Sequence, residues 1–253
     1  MNPDLVKANL NLYAVLKNLE DLTEFDSSMK GLIASWNVSI QFSVRGGPAA
    51  FVSFQNGKCT VGRGRMKSPS IKLWFKSPAH LNNMFDGNAN PVPLKGFTRL
   101  GFLAKEFPKL TDRLAWYLKP TEDLMKDKQY LELNTRMTLN TAAFAVPEIA
   151  AADSDGIKVA CKIPDGTVAM RILPAFHSVN ITFKGGSAVS SKGDIDKPTA
   201  VMSMKNISVA NGFLNGKIDA FTAIASGDVS IRGLIPILDG MSLLLDRVQH
   251  YLS

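Results

Sequence analysis

The sequence predicts an α+β protein made of two copies of one domain. Each copy is a mostly antiparallel five-stranded sheet with helices on one face, and an N-terminal helix and an interdomain helix are added. Three observations predict it. Residues 54–87 laid on 183–216 without gaps, an offset of 129, match at Phe54/Phe183, Gly57/Gly186, Gly64/Gly193, Pro69/Pro198, Lys76/Lys205, Asn82/Asn211 and Gly87/Gly216. Seven identities in 34 positions exceed the roughly two that ordinary composition yields. Both copies alternate apolar and polar residues with the period of two that a half-buried strand requires. Both then show apolar residues three and four apart, the stripe of an amphipathic helix.

The elements follow in order. Leu5, Leu12, Leu16 and Leu19 form a stripe on an N-terminal helix. Val38, Ile40, Phe42 and Val44 alternate with polar neighbours, Gly46-Gly47-Pro48 turns the chain, and Ala49 to Gln55 runs back to an Asn56-Gly57 hairpin signal. Cys59 to Gly62 begins the return, and Ile71, Leu73 and Phe75 alternate with Lys72, Trp74 and Lys76, with Trp74 expected to pack on a helix. A short helix from Ser77-Pro78 to Phe85 ends at Gly87, where a left-handed cap suits glycine. Leu100, Leu103, Phe107, Leu110 and Leu114 give a longer helix that Pro108 must interrupt or kink. Thr121-Glu122-Asp123 opens the interdomain helix, expected to run to about Ala145, with acids where its dipole favours them. The second copy repeats the order: Val168 to Leu173, then Val179, Ile181 and Phe183, a Gly185-Gly186 turn, Ala200 to Met204, a helix from Asn206 to Leu214 ending at Gly216, and a last helix striped by Leu234, Ile237, Met241, Leu244, Leu245 and Val248. The domain junction is placed at Pro120, giving domains 1–120 and 121–253.

With 253 residues, 45% hydrophobic and 20% charged, the chain can bury a core, and disorder is excluded. The longest run without charge, Gly31 to Val44, has 14 residues, short of the roughly 18 to 20 that a membrane span needs. The start, Met1-Asn2-Pro3-Asp4, is unlike a secretory signal, so a cytoplasmic protein is expected. Cys59 and Cys161 are far apart and outside any Cys/His cluster, which predicts two buried thiols rather than a disulfide or zinc site. Residues 1–120 hold 16 Lys and Arg against 8 Asp and Glu, and residues 121–253 hold 13 against 14. The basic surface therefore belongs to the first half, where Arg63, Arg65 and Lys67 are the candidate contacts to an anionic membrane surface.

In the second copy, Asn215-Gly216-Lys217-Ile218-Asp219-Ala220-Phe221 is followed by Ala225-Ser226-Gly227-Asp228-Val229-Ser230-Ile231-Arg232-Gly233. This string resembles the sterol carrier protein type-two family, in which a Gly-Lys helix end precedes a Gly-x-Val-x-Ile-x-Gly final strand and a closing helix. The resemblance covers most of residues 157–253 and reaches residues 36–118 through the repeat. The first copy departs from it after Gly87, which puts a ligand site there in doubt. The resemblance implies non-enzymatic binding of a sterol, fatty acid or fatty acyl thioester in an apolar tunnel between sheet and helices. Met202, Met204, Phe213, Leu214, Phe221, Ile224, Ile231, Leu234, Ile237 and Met241 are then its expected lining, methionine suiting an adaptable pocket.

Catalytic signals are weak. His80, His177 and His250 have no carboxylate or thiol at metal or triad spacing. Gly62-Arg63-Gly64 lacks the Lys-Ser/Thr of a phosphate loop, and Asp194-Ile195-Asp196 and Asp153-Ser154-Asp155-Gly156 lack the distal Glu of a calcium loop. No enzyme activity, metal or cofactor is expected. The competing classes are a non-binding scaffold or oligomerisation module on the same fold and, disfavoured because aromatic residues are not interleaved with the basic ones, a nucleic-acid binder.

Overall fold

The computed structural model describes residues 2–252. The chain forms two compact units, Asn2–Lys119 and the chain from Pro120 onward. The first unit opens with α1 (Pro3–Leu10), capped by the Asn2 side chain, and continues through a π turn (Asn11–Val15) and a 3-10 turn (Leu16–Asn18) into α2 (Leu19–Phe25). Then come α3 (Ser27–Ile33), β1 (Val38–Val44), β2 (Ala49–Gln55), β3 (Lys58–Arg63), β4 (Ile71–Phe75), α4 (Pro78–Phe85), β5 (Val92–Lys95) and α5 (Phe107–Leu118). A π turn, Phe102–Glu106, runs directly into α5. Pro108 lies at that junction because its missing N–H leaves a carbonyl one turn back without a helical partner.

The second unit repeats the plan with α6 (Lys128–Ala152), α7 (Ser154–Ala160), β6 (Gly166–Ile172), β7 (His177–Lys184), β8 (Ser187–Lys192), β9 (Ala200–Met204), α8 (Ile207–Leu214), α9 (Ala220–Ala225), β10 (Val229–Gly233) and α10 (Ile235–Leu252). The sheets have the same strand order, β3-β2-β1-β4-β5 and β8-β7-β6-β9-β10. All neighbours are antiparallel except β1/β4 and β6/β9, which are parallel. In each sheet one face packs on helices, and the residues on it are the core: Ile40, Phe42, Val52, Phe54, Leu73 and Phe75 in the first, Val168, Met170, Ile181, Phe183 and Met204 in the second.

The interdomain helix differs from expectation at both ends. Asp127 caps it by accepting from the Tyr130 amide at 2.7 Å, so it begins at Lys128 rather than at Thr121. It runs through Pro147 to Ala152. The carbonyl that Pro147 strands, that of Ala143, accepts the Ser190 hydroxyl of edge strand β8 at 2.6 Å instead. α6 is thus more than a connection, since it has the role that α1 and α2 have in the first unit. There the edge strand is tied in the same place: the Val61 amide donates to Glu20 at 2.9 Å and the Lys17 ammonium to the Val61 carbonyl at 3.0 Å. Further along, the Asn11 amide donates to Asn82 at 3.1 Å, and the Asn211 amide to Asn134 at 2.7 Å.

Each unit closes on a buried carboxylate that ties its last helix. Asp26 caps α3 by accepting from the Ser28 and Met29 amides, and it also accepts from Arg113 Nε at 2.9 Å and the Tyr117 hydroxyl at 3.0 Å. Asp153 caps α7 through the Gly156 amide at 2.8 Å, takes two bonds of 2.9 Å from Arg247 and one of 2.6 Å from the Tyr251 hydroxyl. The pairs Arg113/Tyr117 and Arg247/Tyr251 are four residues apart on the last helix of each unit, one turn on one face. Burial pushes both carboxyls up, but hydrogen bonds from arginine, tyrosine and backbone outweigh it and hold both below the ordinary carboxylate range. Tyr117 is pushed up to about 12 by burial and by the Asp26 charge.

Both carboxylates have depressed folded pKa values, so their stabilisation is complete above about pH 4 and is lost as pH falls below it. Thermal unfolding followed by circular dichroism should therefore hold a steady midpoint from pH 7 to about 4.5 and drop below that. Asp153→Asn should cost about 3 kcal/mol at pH 7, since it leaves Arg247 without its partner, and should flatten part of the acid limb.

Candidate functional site

The helix-facing side of β9, β10, α8, α9 and the start of α10 carries the apolar residues marked in the sequence. Ladder register sets them in rows. Met204 faces Val229, Met202 faces Ile231, and Ala200 faces Gly233. Burial falls along these rows: Met204 and Val229 are fully buried, Met202 and Ile231 only half. The ten expected lining residues sort the same way. Met204, Ile237 and Met241 are buried, while Met202, Phe213, Leu214 and Ile231 are half-buried. Ile224 and Leu234 are exposed, and Phe221 is 89% exposed. Ile235 and Leu243 of α10 extend the exposed apolar surface. α9 is held by Asp219, whose carboxylate accepts from the Thr222 amide at 3.0 Å, and by Ala223, its fully buried anchor.

The first unit differs at the corresponding place, although Leu94, Phe97 and Leu100 are exposed there too. Gly96 and Gly233 are counterparts, although they are 137 residues apart. Both have φ near +90°, and a Cβ on either would collide with the backbone of the same register partner, Ser70–Ile71 in one and Thr199–Ala200 in the other. Between Gly87 and β5 the first unit has no helix where the second has α9. Its interior is aromatic: Trp36 lies 4.9 Å from Phe54 and 4.8 Å from Phe102, and Phe42 stacks on Phe75 at 6.3 Å between ring centroids. At the register-matched places of Phe42, Leu73 and Phe75 the second unit has Met170, Met202 and Met204. Six residues before the clamp arginine, Phe107 is replaced by Met241.

Candidate chemical groups elsewhere have structural duties. Arg136 can only donate, so His177 Nδ1 accepts from it at 2.9 Å and Nε2 carries the proton donated to Asn140 at 2.7 Å. His80 likewise accepts the Lys76 amide on Nδ1 and donates Nε2 to the Asn90 carbonyl. Asp153, whose string lacks the distal Glu of a calcium loop, is the cap and clamp described above. Among the described residues no three of His, Cys, Asp and Glu gather where they could hold a metal ion, and no helix is long and apolar enough to cross a membrane. The two cysteines are not buried as expected. Cys59 is half-buried on edge strand β3 and Cys161 is exposed where it caps α7, and neither forms a disulfide.

Arg63, Arg65 and Lys67 are all exposed. Arg63 lies 4.0 Å over the Tyr13 ring. Trp74 is on the sheet face away from the helices, opposite in phase to Leu73 and Phe75, rather than packed on a helix. On that same face a cleft of about 490 Å³ is lined by Phe51, Ser53, Gln55, Asn56, Lys58, Thr60 and Met66.

No family model and no curated protein matches the chain. It is similar to solved sterol carrier domains. A UbiJ-SCP2 ubiquinone synthesis protein has 12% identity and a TM-score of 0.33, over 41% of this chain and 88% of that one. Sterol carrier protein domain 2 of Helicoverpa armigera has 15% identity and a TM-score of 0.35, over 44% and 87%. A stereoselective inverting sec-alkylsulfatase from Pseudomonas sp. has 12% identity and a TM-score of 0.27, over 58% of this chain but 29% of that one. At identities and TM-scores this low, the reading of the site rests on its own side chains.

Burial separates the region's surface from its core. Phe221→Ser should shift the unfolding free energy by less than about 0.5 kcal/mol, as an exposed substitution does, whereas Met204→Ala should cost about 2 to 5 kcal/mol. Urea titrations of the two variants check this.

Proposed function

We propose that the chain is a non-enzymatic carrier made of two sterol-carrier-like domains, 1–120 and 121–253, whose second domain binds one lipid-like ligand, a sterol, fatty acid or fatty acyl thioester. The observation that supports it most is the exchange of interiors. Where the first unit has Phe42, Leu73, Phe75 and Phe107, the second has Met170, Met202, Met204 and Met241. A thioether side chain has three rotatable bonds and yields to an entering ligand; a packed ring does not. The ligand enters beside α9, where Met202 and Ile231 are half-covered and Phe221, Ile224 and Leu234 meet solvent.

Energetics allow this without a polar anchor. Each buried methylene contributes roughly 0.8 kcal/mol, so a long acyl chain gains on the order of 10 kcal/mol, comparable with the about 4 to 15 kcal/mol that association costs. Two of the titratable groups near the region are already engaged: Asp219 caps α9 and Asp228 pairs with Lys205.

Fluorescent fatty-acid titration of the full chain tests the proposal. Ile231→Asp should weaken binding at least about tenfold, a charge next to an apolar ligand costing more than 1.4 kcal/mol, while circular dichroism shows the sheet intact. Equal affinity of Ile231→Asp and Met202→Asp with the unaltered chain would overturn it, as would no binding by the unaltered chain.

A further inference from the structure

Between Asp26 and Asp86 the chain has eight basic residues and no acid, and this stretch contains β1 to β4 of the first sheet. Residues 64–70 cross from edge strand β3 over the sheet face turned away from the helices and enter β4. This strap is pinned from beneath by Gln41, whose side chain donates to the Gly64 carbonyl at 3.0 Å and accepts from the Met66 amide at 2.7 Å. The second unit has the same strap, pinned by Asn180, which donates to the Gly193 carbonyl at 2.6 Å. At the repeat offset of 129, Asp194 and Asp196 stand where the first unit has Arg65 and Lys67. Asp194 is paired with Arg171 at 2.7 Å, whereas Arg65 and Lys67 are exposed and make no ion pair among the described residues. The fold therefore accepts either sign of charge on this strap, and the positive charge of the first copy is unused by folding.

We propose that the strap-bearing face of the first sheet docks the protein on anionic phospholipid bilayers. Arg65 and Lys67 enter the headgroup layer, and Lys58 brings a third cation to the cleft beside the strap. That cleft of about 490 Å³ offers the Ser53 and Thr60 hydroxyls and the Gln55 and Asn56 amides to a phosphodiester headgroup, with Phe51 and Met66 beneath. A bilayer suits this surface better than a nucleic acid. The cations are spread over a sheet rather than along a groove, and the aromatic residues of the face, Phe51 and Trp74, are half-buried rather than presented for base stacking. Each cation near an anionic surface strengthens binding about fivefold, screened by salt.

Cosedimentation of the full chain with phosphatidylcholine vesicles, with and without phosphatidylserine and at low and high salt, tests the proposal. The double variant Arg65→Asp/Lys67→Asp gives the first strap the charges of the second and leaves the fold intact by circular dichroism. The unaltered chain should bind only the anionic vesicles, lose binding at high salt, and be weakened at least about twentyfold by the double substitution. Equal binding to neutral and anionic vesicles, no binding to either, or full binding by the double variant overturns it. An oligonucleotide that binds where the vesicles do not overturns it in favour of nucleic acid. Fatty-acid affinity measured on the same samples keeps the two proposals apart: the double variant should bind fatty acid unchanged, and a chain that binds vesicles but no fatty acid refutes the carrier reading alone.

Discussion

The buried aspartates Asp26 and Asp153 are the constraint on which each unit depends. A carboxylate taken out of water costs several kcal/mol unless several partners are present together. Here they come from separate elements: backbone amides at the start of α3 or α7, and an arginine and tyrosine one turn apart on α5 or α10. The charge is tolerable only when the last helix of the unit has returned to the end of the first helical run. The clamp thus adds an ionic constraint on the position of that helix to the apolar stripe it buries, Phe107, Leu110 and Leu114 in α5 and Ile237, Met241, Leu244 and Val248 in α10.

Between the same fixed points the two interiors differ. Both units keep the clamp, the tie from the first helical run to the edge strand, the asparagine pair and the glycine that passes under the strand β4 or β9 start. Between those fixed points one unit is filled by rings and the other by methionines. Rings in edge-to-face contact at about 5 Å add attraction beyond burial, which makes the first interior rigid. Methionines lose more rotamer freedom on ordering, so a layer rich in them is less strongly fixed in one arrangement.

Much of the fold was legible in the sequence, because strand alternation, Asn-Gly and Gly-Gly turns and Pro-capped helix starts are local signals, and they placed β1 to β4, β7, β9, α4 and α8. What was not legible depended on contacts between distant segments. A gapless offset of 129 holds only from β2 to α4, since the clamp aspartates are 127 apart, the clamp arginines 134 and the strand-end glycines 137. The pairing of Gly96 with Gly233, and the absence of α9 from the first copy, therefore lie outside the gapless match. The seven-residue helices α3 and α7 have no stripe to betray them. Their signal was the Asp-Ser pair at 26–27 and 153–154, visible only once the Arg-x-x-x-Tyr turns at 113 and 247 are set beside it. Of the site, residue type was legible but depth was not: Phe221 and Met204 are both apolar, and only the folded chain shows that Phe221 of α9 is surface and Met204 of β9 is core.

The exposed apolar residues of the second unit bear on its stability as well as its function. Leaving Phe221, Ile224, Leu234, Ile235 and Leu243 in water forgoes roughly 25 cal/mol for each Å² that remains uncovered. Any ligand that covers them in the folded state alone adds RT ln(1 + [L]/Kd), about 2.7 kcal/mol at a hundredfold excess over Kd. On the proposed function, stability and occupancy are therefore linked in the second unit, and the first unit, whose Leu94, Phe97 and Leu100 also meet solvent around Gly96, differs from it in the composition of its interior and not in having exposed apolar side chains.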